Sequence, residues 1–454
     1  MKKIRLQPSQ VIVLSFFFVI LAGAVLLSLP LSTAGNQSPG IIDSLFTATS
    51  ATCVTGLIVK DTGSFFSPFG RLVILCLVQA GGLGIMTFST MFAILLGGKL
   101  SISQNMTIKS ALGHTEIEGL RRLIFYIIAF TFSIEAIGAL ALYIRWAATT
   151  GWPKLLIAER AIFHAVSAFC NAGFSLFSSS LSDFASDGVT MAIISILIVI
   201  GGMGFVVFLD IPKLKFWRKD RRLILSRISL QTKIVVLVTL LLIVIGALGI
   251  YFLENNSALY GMGLREKVTS CVFTSITPRT AGFNILNTAT LRPATLFMLI
   301  ILMFIGASPG STGGGIKTVT FGIVIAALYS MFRNEGRIHL FGRTIPKDTY
   351  RRAAVIVFLA LSVVICSTFL LSATETAVAQ SSHYFLGMLF ESTSAFGTVG
   401  LSTGITPNLT PLGKIIIMIT MFVGRVGPLT LALALAMRRE KLSFRYPEET
   451  LMVG

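Results

Sequence analysis

Charge is scarce in this chain. Only 12% of its 454 residues are Asp, Glu, Lys or Arg, against 54% that are hydrophobic. A soluble protein of this length needs far more charge to cover its surface, so a water-soluble globular class is excluded. Cysteine is also sparse: Cys53, Cys76, Cys170, Cys271 and Cys366 form no CxxC pair and lie in or beside apolar segments. That excludes a disulfide framework and a zinc site. The four histidines (His114, His164, His339, His383) show no HExxH spacing. There is no GxGxxG after a strand and no GxxxxGK[ST], so no nucleotide site is expected in this chain. Asp, His and Ser do not cluster with acid–base spacing, which argues against an intramembrane enzyme.

Acidic residues are the rarer sign, 19 Asp+Glu against 37 Lys+Arg, giving a net charge of +18. The distribution of the excess points away from nucleic acid. When the chain is read as alternating spans and loops, 25 of the 37 basic residues fall on one side: 2–5, 99–122, 213–233, 333–352 and 438–445. Ten fall on the other side, and Lys317 and Arg425 lie within apolar segments. This is the positive-inside bias, so the rich side is expected to be cytoplasmic, together with both termini. The first apolar stretch imitates a signal peptide, but it is long enough to span and has counterparts later, so it is expected to be retained.

What is abundant is long apolar sequence. A membrane-crossing helix needs ~20 apolar residues. Eight segments qualify, at roughly 11–30, 70–97, 122–145, 188–210, 232–253, 293–332, 351–372 and 411–437, the sixth being broken near 306–316. Four shorter segments, about 41–53, 160–170, 267–278 and 384–395, suit re-entrant half-helices on the outer side. The expected fold is an all-α polytopic membrane protein, with span, half-helix and span repeated four times around a central pore. The unit boundaries are read as 1–98, 99–215, 216–340 and 341–454.

The half-helices end in related strings. They are Phe46-Thr-Ala-Thr-Ser50-Ala-Thr-Cys-Val-Thr-Gly56, Phe163-His-Ala-Val-Ser167-Ala-Phe-Cys-Asn-Ala-Gly173, Phe273-Thr-Ser-Ile-Thr277-Pro-Arg-Thr-Ala-Gly282 and Phe390-Glu-Ser-Thr-Ser394-Ala-Phe-Gly-Thr-Val-Gly400. The third is one residue shorter. The glycines are spaced by 117, 109 and 118 residues, which marks one architecture copied. Two spans per unit give all four the same orientation, so they enclose a path along the membrane normal.

Each half-helix entering from outside aims the negative end of its dipole at that path, which favours a cation. Beyond it, glycine permits positive-φ turns that bring carbonyls toward the axis. Carbonyls that replace an ion's water form K⁺ filters, and Thr398-Val399-Gly400 repeats part of the TVGYG string. The filter set is Val54, Thr55, Gly56; Asn171, Ala172, Gly173; Thr280, Ala281, Gly282; and Thr398, Val399, Gly400. No carboxylate ring is present in these strings, which disfavours a divalent-cation pore. Arg279 either braces the third string or disfavours cations.

A second site lies in the third unit. Gly306, Ala307, Ser308, Pro309, Gly310, Ser311, Thr312, Gly313, Gly314 and Gly315 put five glycines and a proline at membrane depth. Irregular backbone there is buried in protein or lines water. This segment is expected to act as a gate below the filter. Arg425 stands in a run, 415–430, that has no other charge, and it aligns with Gly82, Gly202 and Ala307. An ionisable group at that depth is costly. It either raises a barrier to cations and helps close the gate or pairs structurally with an oxygen; Lys317 either joins the gate or snorkels inward. Glu135 and Glu391 are candidate internal partners, with no counter-charge identifiable from the sequence.

Four span–half-helix–span units, one glycine per string, the Gly-rich break and the last-span arginine together resemble the Trk/Ktr/HKT superfamily of potassium transporters. The likeness covers nearly the whole chain. Within the superfamily it points to the Ktr-type membrane subunits: the first unit begins near residue 11 without two additional leading spans, and Tyr446-Pro-Glu-Glu449 and Gly454 also look like Ktr. The resemblance implies K⁺ as the transported ion, coordinated at Gly56, Gly173, Gly282 and Gly400, with residues 306–315 and Arg425 as the gate. It implies a homodimer with one pore per subunit in a bacterial plasma membrane. It also implies a cytosolic ring of nucleotide-binding subunits, opened by ATP and closed by ADP. The basic loops suit docking of that ring or of anionic lipid. Na⁺ as an activator or coupling ion stays open: gated K⁺ conduction is the first reading and Na⁺-coupled K⁺ symport the alternative.

Overall fold

The computed structural model describes residues 8–35, 37–84, 117–210, 228–334, 338–375 and 384–428. The basic stretches before residue 8, between 85 and 116, between 211 and 227 and after 428 lie outside the described residues, as do both termini and the Tyr446-Pro-Glu-Glu449 motif.

The described residues fall into four successive units with one element order: a long helix, a short helix, a loop and a second helix. The long helices are Pro8–Ser28, Ile117–Thr149, Leu230–Glu254 and Lys347–Thr374. The short helices are Ile41–Thr52, Lys154–Cys170, Leu264–Ile276 and Tyr384–Gly397. The second helices begin at Pro68, Gly188, Pro293 and Pro411. Three helices, Ile124–Thr149, Leu230–Glu254 and Lys347–Thr374, are long and apolar enough to cross a membrane among the described residues, and five more are apolar but shorter.

Local chemistry sets where the second helices start and stop. The hydroxyls of Ser67 and Thr410 accept the N–H of Gly70 and Gly413, each at 3.2 Å, just ahead of Pro68 and Pro411. The Asp187 carboxylate does the same for Val189. A capping oxygen followed by proline is a helix start, because the first N–H groups of a helix have no partner within it. Gly84, Gly204 and Gly427 end three of these helices at φ of 75°, 85° and 89°. L side chains are strained there, so glycine is the stop.

The third unit departs as the sequence predicts. Its second helix ends at Phe304, and a new helix, Thr318–Phe332, begins after the glycine-rich segment. A short parallel bridge between Ile305 and Ile316 closes the neck of this loop. A hairpin of His339–Leu340 with Arg343–Thr344 follows.

The long helices carry exposed apolar side chains outward, such as Phe18, Phe252, Phe358 and Phe369, each at least 65% exposed. Exposed apolar surface on this scale suits lipid rather than water. The short helices do the reverse. Their C-terminal halves are buried, with Phe46, Phe163, Phe273 and Phe390 each 3% exposed or less. They lie at the centre, wrapped by the long helices.

Candidate functional site: four loops closing one ring

Each short helix ends in a residue of its string, and the chain then turns sharply. The loop glycines have φ of 90°, 70°, 76° and 92° at Gly56, Gly173, Gly282 and Gly400. Two residues earlier, Val54, Asn171, Thr280 and Thr398 are also left-handed, at 56°, 60°, 73° and 50°. Left-handed backbone in a non-glycine residue is uncommon and costs of order 1 kcal/mol or more. Its recurrence at one register in all four strings makes it a built feature. A left-handed residue on each side of one that is not left-handed reorients successive carbonyls.

The four loops meet. A methyl group added to Gly56 would collide with the Ala172 carbonyl and lie 3.0 Å from the Gly173 Cα. One on Gly173 would lie 2.9 Å from the Ala281 carbonyl oxygen and 3.0 Å from the Gly282 Cα. One on Gly282 would strike the Val399 carbonyl, and one on Gly400 the Thr55 carbonyl, 3.0 Å from the Gly56 Cα. Each glycine therefore faces the carbonyl just before the next glycine, and the fourth returns to the first. The ring closes in the order of the chain, so the second and fourth strings stand opposite each other. All twelve filter residues predicted from sequence lie in this ring.

A second set of side chains holds the ring from behind. Ser50 and Ser394 accept the N–H of Gly56 and Gly400, each at 3.1 Å. Ser167 and Thr277 donate to the carbonyls of Phe174 and Phe283, each at 2.7 Å. All four hydroxyls sit four residues after the string's phenylalanine. Sequence reasoning aligned them and gave them no role; the signal was that one column of four strings holds only Ser or Thr. The shortened third string keeps this register. Its missing residue falls between Thr277 and Gly282, where Ala281 N–H bonds the Thr277 carbonyl at 2.9 Å.

Glycines of the second helices bring the layers together. Added methyls on Gly81, Gly201 and Gly424 would strike the carbonyls of Thr52, Phe169 and Phe396, each four residues before a ring glycine. These glycines allow the second helix to lie directly on the short helix's last turn. Such close backbone approach is what small residues permit between membrane helices generally.

The broken segment lies against the left-handed residues of the ring. The Gly314 N–H donates to the Thr398 hydroxyl at 3.0 Å. A methyl on Gly313 would strike the Thr280 hydroxyl. The Thr312 hydroxyl lies 3.2 Å from the Asn171 side-chain amide and 3.2 Å from the carbonyls of Phe169 and Gly201. The Asn171 amide is best satisfied with its oxygen toward Thr312 and the Gly202 N–H, and its nitrogen toward the carbonyls of Ile198 and Ala168. Ser308 N–H bonds the Gly202 carbonyl at 3.0 Å, and the Gly310 carbonyl accepts from Phe205 N–H at 3.0 Å. Ala307 accepts from Thr318 N–H, and the Pro309 carbonyl lies 2.5 Å from a methyl placed on Gly204.

Both basic residues of the apolar segments hold this loop. Arg425 donates to the carbonyls of Thr312 and Gly81, tying the fourth unit's helix to the loop and to the first unit. Lys317 donates to the Gly313 carbonyl at 2.6 Å, so its ammonium is directed at the loop. Gly315, at φ 66°, packs its Cβ position 3.2 Å from the Gly306 Cα at the neck. Ser311 returns a hydrogen bond to the Ser308 carbonyl. Every predicted loop residue thus lies in one knot of backbone beside the ring.

The remaining candidates divide. Arg279 is buried on the turn between Thr277 and Thr280, and its Nε has no hydrogen-bond partner among the described residues. Glu135 accepts from Gln79 Nε2 at 3.1 Å and lies beside Cys170. Glu391 accepts from Ser402, Thr403 and Thr406. Hydroxyl, amide and thiol donors, rather than cations, surround both carboxylates among the described residues.

A bundle of apolar helices with four half-buried helices converging on one closed ring of backbone defines a membrane transport protein. The model of the TrkH family, described as cation transport protein, matches residues 6–445. The chain belongs to that family, which makes it a transporter rather than an enzyme. It is 40% identical to the Ktr system potassium uptake protein B of Bacillus subtilis, covering 100% of this chain and 98% of that one. It is 38% identical to the potassium/sodium uptake protein NtpJ of Enterococcus hirae, covering 99% and 98% respectively. The crystal structure of the potassium transporter TrkH from Vibrio parahaemolyticus superposes with a TM-score of 0.71 at 18% identity, covering 96% of this chain and 86% of that one.

Proposed function

We propose that the chain is the ion-translocating membrane subunit of a K⁺ uptake system. K⁺ passes through the ring at Gly56, Gly173, Gly282 and Gly400 down its electrochemical gradient, and the loop 306–315 opens and closes the path. The observation that carries this reading is the closed ring of four left-handed turns with the glycine-rich loop bonded directly to it. Four helix C-termini converging there supply about half a negative charge each, which favours a cation. Carbonyls in place of water select for ion size or for the number and strength of coordinating dipoles. The ties from Arg425 and Lys317 to the loop carbonyls suit a closed arrangement, with two positive charges adding an electrostatic barrier.

The four units are assigned to 1–98, 99–215, 216–340 and 341–454, with eight spans and both termini cytoplasmic. As in the Ktr systems named for its relatives, the subunit works with a partner, which we assign to a cytosolic nucleotide-binding ring, on a homodimer of this chain in a bacterial plasma membrane. The second reading is Na⁺-coupled K⁺ symport, which the name of the Enterococcus relative, a potassium/sodium uptake protein, favours. Uptake of ⁸⁶Rb⁺ into liposomes holding the purified chain, with K⁺, Na⁺ and Li⁺ as competitors, separates the two. Uptake driven by voltage alone and blocked mainly by K⁺ is the expected result. A strict requirement for a Na⁺ gradient supports symport, and competition by all three ions alike removes the K⁺ assignment.

A further inference from the structure

Behind the ring, the second and fourth strings share a contact that the other two lack. His164 directly follows the phenylalanine of the second string and is fully buried. Its Nδ1 lies 2.7 Å from the Arg160 carbonyl and its Nε2 3.0 Å from the Ser175 hydroxyl. A nitrogen facing a carbonyl must carry the proton, so Nε2 is the acceptor and Ser175 donates to it. Ser175 is the second residue past Gly173. In the fourth string Glu391 follows the phenylalanine, is fully buried, and accepts from the hydroxyl of Ser402, the second residue past Gly400. The Thr403 N–H at 3.1 Å and the Thr406 hydroxyl at 2.9 Å complete its shell. The two contacts therefore run between the same two registers, by different chemistry.

The first and third strings have Thr47 and Thr274 at the first register and Ile58 and Asn284 at the second. Thr47 bonds back to the Asp43 carbonyl of its own helix at 2.8 Å. The Thr274 hydroxyl has no partner among the described residues. Asn284 accepts from Thr288 at 3.2 Å instead, and its backbone is held not from its own short helix but from the second unit, by the Ser180 hydroxyl at 3.1 Å and the Leu181 N–H at 3.0 Å. Because the ring closes in chain order, the two clamped strings stand diagonally opposite. The clamp in the second string is also stiffened sideways. The His164 ring stacks on Phe177 at 4.6 Å, with Trp146 edge-on at 5.6 Å, and lies 6.4 Å from Phe283 of the neighbouring string.

We propose that His164–Ser175 and Glu391–Ser402 are a diagonal pair of clamps that fix the outward strands leaving the ring and thereby set its discrimination between K⁺ and Na⁺. Discrimination by size needs carbonyls that do not close in on the smaller ion, and a strand tethered two residues beyond its glycine resists that closure. The clamp residues are positioning residues, acting through the backbone of Gly173 and Gly400. The inference rests on reading the ring as the ion filter.

The test uses the full chain in liposomes, scored by how well Na⁺ relative to K⁺ competes with ⁸⁶Rb⁺ uptake. Ser175→Ala and Ser402→Ala are each expected to shift the K⁺-over-Na⁺ ratio toward Na⁺ by about fivefold, the equivalent of one lost hydrogen bond. Ser175→Thr and Ser402→Thr keep the hydroxyl and are expected to hold the ratio. Thr47→Val and Thr274→Val, at the same depth in the two strings without this helix-to-strand clamp, are expected to leave it unchanged. Unchanged ratios in both alanine variants, or an equal shift in the Thr274→Val control, overturn the proposal. If the alanine variants do not fold, the threonine variants and Glu391→Gln, which keeps an acceptor oxygen, decide it: a Na⁺-shifted ratio in the threonine variants sinks the clamp. Gly56→Ser run in parallel separates the two layers of the argument. If it also leaves the ratio fixed, the filter reading fails; if it moves the ratio and the alanine variants do not, only the clamps fail.

Discussion

Gly56 is required on two counts. Its φ of 90° strains any L side chain, and an added Cβ would strike the Ala172 carbonyl across the ring. Gly56→Ser is therefore expected to push a carbonyl of the neighbouring string out of place and lower the K⁺-over-Na⁺ preference several-fold in ⁸⁶Rb⁺ competition. A ratio equal to wild type would remove Gly56 from the ion path. Ser50 acts on the same glycine through its N–H. Ser50→Ala leaves that buried N–H unpaired, at a cost of about 1–3 kcal/mol, expected as a lower unfolding midpoint in detergent. At the start of the second unit's second helix, Asp187 caps that helix and holds Arg145 at 2.9 Å. Burial opposes ionisation of its carboxyl, but bonds from Arg145, Thr190 and the N–H groups of Thr190 and Val189 outweigh it and hold the carboxyl below the usual carboxylate range. The folded state thus favours the charged form. The stability it contributes is present above the ordinary carboxylate range and is lost as pH falls through the lowered value. Asp187→Asn is expected to flatten that acid limb in thermal unfolding measured from pH 6 down to about 3; an unchanged limb would assign it to other carboxylates.

The broken segment is the element with the most to test. Its backbone is held by hydrogen bonds to the second, third and fourth units and by two cationic side chains, the ties that the proposed gating would have to release. Deleting part of 308–314, or Arg425→Ala, is expected to raise basal ⁸⁶Rb⁺ flux several-fold in liposomes without a partner. Unchanged or lower flux at normal expression sinks the gate assignment. The break itself was legible: no helix survives a proline and five glycines within ten residues, and the structure interrupts it from Ile305 to Lys317. The second short helix was less so. It begins at Lys154, six residues before the apolar reading places it, because Lys154, Glu159 and Arg160 disguise its first turns as loop. Hydropathy reports removal from water, whether into protein or lipid, and those first turns carry charge, with Arg160 stacked over Trp152 at 4.2 Å. The diagonal clamps were invisible for another reason: no residue type is common to all four strings at those two registers, and the shared Ser175 and Ser402 face a histidine in one string and a glutamate in the other, so only the fold brings the pairs together.

At the scale of the whole molecule, the seam between first and last units matters most, because no covalent turn joins them. Lys414 from the last helix meets Asp43 of the first short helix at 2.7 Å, with Lys60 at 3.8 Å. Both partners are largely buried. Asp43→Asn and Lys414→Met are each expected to lower the unfolding midpoint, and the double variant to lose less than the sum, with a coupling of about 1–2 kcal/mol. Full additivity would show that this ion pair adds nothing to a seam already held by apolar packing, the ring and the Arg425–Gly81 tie. The order of the units around the axis was not legible in the sequence, since four similar strings admit more than one circular arrangement. The close approaches of each ring glycine to the next string, closed by Gly400 on Thr55, fix it.

Arg425 stands in one quarter of the bundle, where the others have glycine or alanine, and this has a consequence for how such a molecule can change over generations. A pore assembled from four identical chains receives every substitution four times. Four guanidinium groups around one narrow axis would repel one another at low dielectric, and a single broken helix could not exist without three more. A gene that encodes all four quarters in one reading frame escapes that constraint. One quarter can acquire a charge, another a flexible segment, and two opposite ones a pair of clamps, while the ring they share keeps its four glycines.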